Sequence, residues 1–144
     1  MQSRKVVYED FRISTRLKLS ALWTTVMFLY IYGDYFELYV PGKVTGLRDG
    51  QNMLNTPYKL LLATIVLTIP ALMISCTLWL KPKWNRILNI SIGTSLTLFT
   101  LLVGISSFSE WRIFYVMLSF LESITTILIA WKAWHWPAYT DESS

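Results

Sequence analysis

The chain has 144 residues, of which 53% are hydrophobic, 15% aromatic and only 15% charged, and this excludes an ordinary soluble domain of that length. Four bilayer-spanning helices of about 20 apolar residues each would use roughly 80 residues and leave no room for a second globular domain. Cys76 is the one thiol and His135 the one histidine, so an intrachain disulfide, thiol-pair redox chemistry and clustered His/Cys metal or haem sites are excluded, and no cofactor is expected. The net charge of +4 comes from basic residues beside apolar runs, which points to membrane orientation and not to nucleic acid.

In chain order, residues 1–18 carry Arg4, Lys5, Arg12, Arg16 and Lys18 and read as a basic N-terminal segment. The apolar run behind it, a span over about 19–38, imitates a signal peptide, but Tyr30-Ile31-Tyr32-Gly33-Asp34 offers no small-residue cleavage pattern. An uncleaved first span is expected. Tyr39 to Pro57 holds Pro41, Gly42, Gly46, Gly50 and Pro57 and reads as a turn-rich loop. Further spans are expected over about 58–80, 87–108 and 112–132, with 133–144 as a cytoplasmic tail. The expected fold is all-α, a single membrane domain built as a four-helix up-down bundle, because the short Lys81 to Arg86 and Ser109 to Arg112 connections make neighbours antiparallel.

One side of that bundle would hold Arg4, Lys5, Arg12, Arg16, Lys18, Lys81, Lys83, Arg86 and Lys132, and the other Lys43, Arg48, Lys59 and Arg112. The positive-inside rule then places both termini in the cytoplasm. Aromatic placement agrees, with Trp23, Trp79, Trp84, Trp131, Trp134 and Trp136 near the inner edge and Tyr32, Tyr35, Tyr39, Tyr58 and Trp111 near the outer one.

Glu122 lies midway along the fourth span, roughly 13 Å from either end at 1.5 Å per residue. A carboxyl at the midplane costs on the order of 3 kcal/mol to insert and normally faces the bundle interior or a wet cavity. No Lys or Arg lies within the core of any span, so the acid is expected to hold its proton until a cation comes beside it. Exchange of that proton for a cation is one use of such a residue; hydrogen-bonded glue between helices is the other.

Depth along straight helices puts Thr68 and Thr97 near the level of Glu122, Thr100 and Ser119 further out, and Asp34 in the outer third, with Glu37 one turn beyond. Asp34, Ser119, Thr100 and Glu122 could form a polar path from outside to the membrane centre. On the third span Asn89, Gly93, Thr97, Thr100, Gly104 and Ser107 make a stripe of small and polar residues. Such a stripe normally packs against another helix. A matching stripe of Tyr115, Ser119, Glu122, Thr126 and Ala130 on the fourth span implies that the two faces meet or share a cavity. Pro70 frees the carbonyl of Val66 close to the Glu122 level.

Tyr30, Tyr32, Tyr35 and Phe36 alternate with Asp34 and Glu37, an arrangement that can hold an organic cation or simply form an aromatic belt in which one acid pairs with Lys59, Arg48 or Arg112. The run Tyr30-Ile31-Tyr32-Gly33-Asp34-Tyr35-Phe36-Glu37-Leu38-Tyr39-Val40-Pro41-Gly42, followed by a glycine-rich loop and three more spans, resembles an uncharacterised family of small bacterial four-helix membrane proteins. In outline it is also similar to the DoxX-like proteins. The resemblance implies a bacterial inner-membrane home and no established activity. Its size and single midplane acid are similar to those of the small multidrug exporters, whose glutamate lies in the first span.

The function expected first is binding or transport of a lipophilic or cationic small molecule, with Glu122 as proton-linked counter-charge and Asp34 at the entrance. A homodimer would double Glu122 across an interface. The alternative is a non-catalytic partner subunit that uses Glu122 and the small-residue faces to bind another membrane protein. No nucleophile-base pair or metal constellation supports an enzyme.

Overall fold

The computed structural model describes residues 12–137, and Arg4 and Lys5 lie outside them, as do the last residues of the tail. The described residues are all-α, with no strand. The helices are α1 (Thr15–Glu37), α2 (Lys43–Arg48), α3 (Pro57–Trp79), α4 (Pro82–Ser106) and α5 (Ile113–Trp134), the last entered through a 3-10 turn over Glu110–Arg112.

Local chemistry sets the starts. Ser14 and Thr56 each accept a hydrogen bond from a main-chain amide three residues on, capping α1 and α3. Pro57 and Pro82 occupy the first helical position, where a missing N–H costs nothing. Pro82 also explains why α4 begins within Lys81 to Arg86, read above as a connection: its fixed backbone angle starts the helix despite the surrounding charge. The loop over residues 38–56 contains a helix, α2, that the turn residues did not reveal.

Three helical segments, Pro57–Trp79, Pro82–Ser106 and Glu110–Trp134, are long and apolar enough to cross a membrane. Four such spans were expected. α1 has the length, 23 residues, but Arg16, Lys18, Asp34, Glu37 and its hydroxyl-bearing residues lower its mean hydropathy.

The long helices alternate in direction. Arg16 and Ser20 of α1 donate to the carbonyls of Leu78 and Ile74 on α3, and Thr97 and Thr100 of α4 bond to Thr126 and Ser123 of α5, so residue numbers rise on one helix as they fall on its neighbour. The end where α1 begins is the basal end; the other, carrying residues 38–56 and 107–112, is the loop end. α5 packs broadly on α4 and on α1, and α1 on α3, whereas α3 and α4 meet only narrowly.

The apolar core, Leu19, Trp23, Val26, Met73, Leu96, Ile129 and Ala133, lies mostly in the basal half. Threaded through it is a buried polar chain. The Trp23 indole donates to Asn89 Oδ1 (2.7 Å), Asn89 Nδ2 donates to Asn85 Oδ1 (2.6 Å), and Asn85 Nδ2 donates to the carbonyl of Thr77. It ties α1, α4 and α3 together and closes the basal end. α4 and α5 approach closely because Gly93 and Gly104 leave room: a Cβ on Gly93 would lie 3.2 Å from the Thr126 carbonyl oxygen, and one on Gly104 would lie 3.0 Å from Ser119 Cβ.

Candidate functional site

The loop-end half of the bundle is hollow. A cavity of about 470 Å³ is walled by Tyr30, Gly33 and Asp34 of α1, by Lys59, Leu62, Ala63, Val66 and Leu67 of α3, by Leu96 and Phe99 of α4, and by Tyr115 and Glu122 of α5, with Met53 and Leu54 at its mouth. Its size is that of an ordinary small-molecule site, and its wall is mainly apolar with a few convergent polar groups.

Glu122 is 6% exposed and lines this cavity. The hydroxyls around it are engaged elsewhere. Thr126 donates to the main-chain carbonyl of Glu122 (3.0 Å), Thr125 to that of Leu121 (2.7 Å) and Ser123 to that of Ser119 (2.8 Å). Across the α4/α5 seam the Thr97 and Thr126 hydroxyls lie 2.7 Å apart and those of Thr100 and Ser123 2.9 Å apart. With these pairs satisfied among themselves, the Glu122 carboxyl is presented to the cavity together with Asp34.

Tyr30 adds a third polar group. Its hydroxyl is buried without a hydrogen-bond partner among the described residues, and it stands in the cavity wall. Unpaired buried hydroxyls are uncommon because each carries a desolvation cost of about 1–3 kcal/mol, so this one is a donor and acceptor available to an occupant. Lys59 at the mouth bonds to Asn55 Oδ1 (2.9 Å).

The other residues picked out from the sequence lie apart from the cavity. Thr97 and Thr100 are buried in the α4/α5 seam, and Ser119 packs against Gly104, so the path from Asp34 to Glu122 runs through the cavity and not through these hydroxyls. Thr68 is exposed on α3 and donates to the Thr64 carbonyl (2.8 Å). Pro70 is buried beneath the cavity, while Val66, whose carbonyl it frees, faces the same space as Glu122 from the opposite wall.

Glu37 is an ion-pair centre at the loop end. Its Oε1 accepts from Lys43 (2.7 Å) and Arg112 (2.6 Å), joining α1 to α2 and to the turn before α5. At the same end of α1 the Tyr35 and Tyr39 hydroxyls share a hydrogen bond of 2.8 Å, which lifts the Tyr39 phenol above its ordinary range. Among the described residues no cluster of His, Cys, Asp and Glu could hold a metal ion.

The sequence of residues 7–143 matches the model of a family of unknown function, DUF6326. The chain belongs to that family. Membership agrees with the resemblance to an uncharacterised family and adds nothing to the DoxX-like comparison or to a bacterial source. No curated protein and no solved structure matches the chain. The cavity of this DUF6326 member therefore has to be read from its own residues.

Two features of the site escaped the sequence reading. The loop residues Met53 and Leu54 at the mouth lay in a stretch read only as turns. Lys59 was considered as an ion-pair partner and not as a cavity residue; its place in the first turn of α3 was the available signal.

Proposed function

We propose that this is a small integral membrane protein that binds or carries a lipophilic or cationic small molecule in the loop-end cavity, with Glu122 as its counter-charge and Asp34 nearer the mouth. The observation that carries the reading is the Glu122 carboxyl, buried in a mainly apolar cavity while the neighbouring hydroxyls pair with one another. A carboxylate so deep is costly unless a cation neutralises it, which makes exchange of a proton for the bound cation the natural cycle. Tyr30 and Tyr115 can present ring faces to an organic cation.

In this reading α1 also crosses the membrane, which brings the spans to four. Arg16 and Lys18 lie at one end, Asp34 and Glu37 at the other, and Leu19 to Gly33 between them carry no charge. Among the described residues the basal end holds Arg12, Arg16, Lys18, Lys81, Lys83, Arg86 and Lys132, against Lys43, Arg48, Lys59 and Arg112 at the loop end. That asymmetry supports a cytoplasmic basal end, with the cavity facing away from the cytoplasm; the reading places the protein in the inner membrane of a bacterial cell. Pairing of two copies would bring two such cavities together.

The partner-subunit alternative has less support, because the small-residue faces it needs are already packed on each other within one chain. Equilibrium binding of tetraphenylphosphonium to the detergent-purified chain tests the proposal. Tetraphenylphosphonium donates no hydrogen bond, so the attraction is Coulombic, and about 2–3 kcal/mol for charge centres roughly 6–8 Å apart at an effective dielectric constant of about 20 predicts a roughly thirtyfold to hundredfold loss of affinity in Glu122→Gln and a smaller one in Asp34→Asn. Equal affinity in wild type and Glu122→Gln would remove Glu122 from the mechanism.

A further inference from the structure

The wall between α3 and α4 is incomplete. α3 buries only Pro70, Met73 and Thr77, all in its basal half, and no residue from Pro57 to Ile69 is buried. At the basal end the Asn85 to Thr77 hydrogen bond holds the two helices together. Beyond it they part, and the cavity reaches the gap between Ala63 and Val66 on one side and Phe99 on the other. Phe99 is 51% exposed.

The two ways into the cavity differ in chemistry. The route from water passes Lys59, the cation in the cavity wall, at the mouth, while Lys43 and Arg112 at the same end are paired with Glu37. A free cation meets like charge there. The gap between α3 and α4 is lined by apolar side chains, and both helices carry exposed hydrophobic residues outside it, Ile65 on α3 and Leu102 on α4. An inorganic cation would want six or more oxygen ligands and would gain nothing from that apolar wall.

We propose that the cavity is filled sideways from the bilayer by a single-chain cationic amphiphile, an alkylammonium. Its head passes between α3 and α4 to reach Glu122 and the unpaired Tyr30 hydroxyl, and its tail remains in the slot against Val66 and Phe99. The proposal rests on Glu122 as the counter-charge and adds the class of occupant and its route. The Tyr30 oxygen accepts a hydrogen bond from the ammonium, and its own proton can turn to the carboxylate.

The test uses the full chain in phosphatidylcholine vesicles and a dodecylamine analogue with a diazirine on its terminal carbon. The expected result is photolabel on residues 62–67 and 96–99, the two sides of the slot. Label confined to residues 53–54, or no label, would overturn the proposal. Ala63→Trp narrows the slot, and since a tail arriving from lipid gains packing contacts there and no burial from water, loss of those contacts should weaken dodecylamine binding by about threefold to tenfold. Butylamine, with little tail to place, should bind Ala63→Trp within about twofold of wild type. Equal weakening of both amines would also sink the slot, and Leu61→Trp, outside the cavity wall, controls for folding. Slot labelling that persists unchanged in Glu122→Gln would leave the route standing and remove the counter-charge, so the two ideas fail separately.

Discussion

Asn89→Ala is the sharpest test of what closes the basal end. In the wild type Asn89 accepts from the Trp23 indole at 2.7 Å and donates to Asn85 Oδ1 at 2.6 Å, and Trp23, Asn85 and Asn89 are fully buried. Truncation orphans two groups, the indole N–H and Asn85 Oδ1. At about 1–3 kcal/mol for each unpaired neutral group the cost would be about 2–6 kcal/mol. Interhelical hydrogen bonds in membranes measure lower, averaging about 0.6 and reaching about 1.7 kcal/mol, because the unfolded chain in the bilayer also finds partners. We therefore expect about 2–3 kcal/mol for Asn89→Ala, and in Trp23→Phe/Asn89→Ala about 1 kcal/mol less than the sum of the single changes. Reversible unfolding in mixed micelles titrated with dodecyl sulfate, followed by circular dichroism, measures all four corners of the cycle. A loss under about 0.5 kcal/mol for Asn89→Ala, or additivity within about 0.3 kcal/mol, would refute the claim that this chain of hydrogen bonds holds α1, α3 and α4 together.

The same assay distinguishes two glycines. A Cβ at Gly93 meets the Thr126 carbonyl at 3.2 Å, so Gly93→Val should destabilise by about 2–3 kcal/mol. At Gly33 the nearest atoms would be 3.7 Å away, and Gly33→Ala should be neutral or stabilising by up to about 1 kcal/mol through helix propensity. Glu37→Gln removes the negative charge that Lys43 and Arg112 share, and loss of a partly exposed pair worth about 0.5–1 kcal/mol should speed tryptic cleavage after Lys43 and Arg48 by roughly twofold to fivefold. Unchanged cleavage would mean that the ion pairs do not hold α2 against the bundle.

The sequence made the helical architecture legible because long uncharged runs have few other outcomes. The period of the α4 stripe was equally informative: Asn89, Gly93, Thr97, Thr100 and Gly104 are all buried, and those of them that meet another helix closely meet α5 or, through Asn89, α1. Depth arithmetic was less so. It gives a residue's height along a helix and says nothing of its direction around the axis, which is why Thr68 and Glu122 stand at similar levels while only Glu122 faces the cavity. Trp23 was read as an interfacial residue and is instead fully buried, because its indole has a partner in Asn89 that only the packing of α1 against α4 supplies. The cavity itself depends on α3 parting from α4 above Pro70, a tertiary feature with no periodic signal in a run as uniformly apolar as Leu60 to Leu80.

Proton release is the most direct test of the central claim, that Glu122 exchanges its proton for a bound lipophilic cation. Tetraphenylphosphonium would be added to weakly buffered, detergent-purified protein across a pH series, with Glu122→Gln and Asp34→Asn beside the wild type. The account predicts release from the wild type that disappears in folded Glu122→Gln. Cation binding with no proton released by the folded wild type at any pH would contradict it.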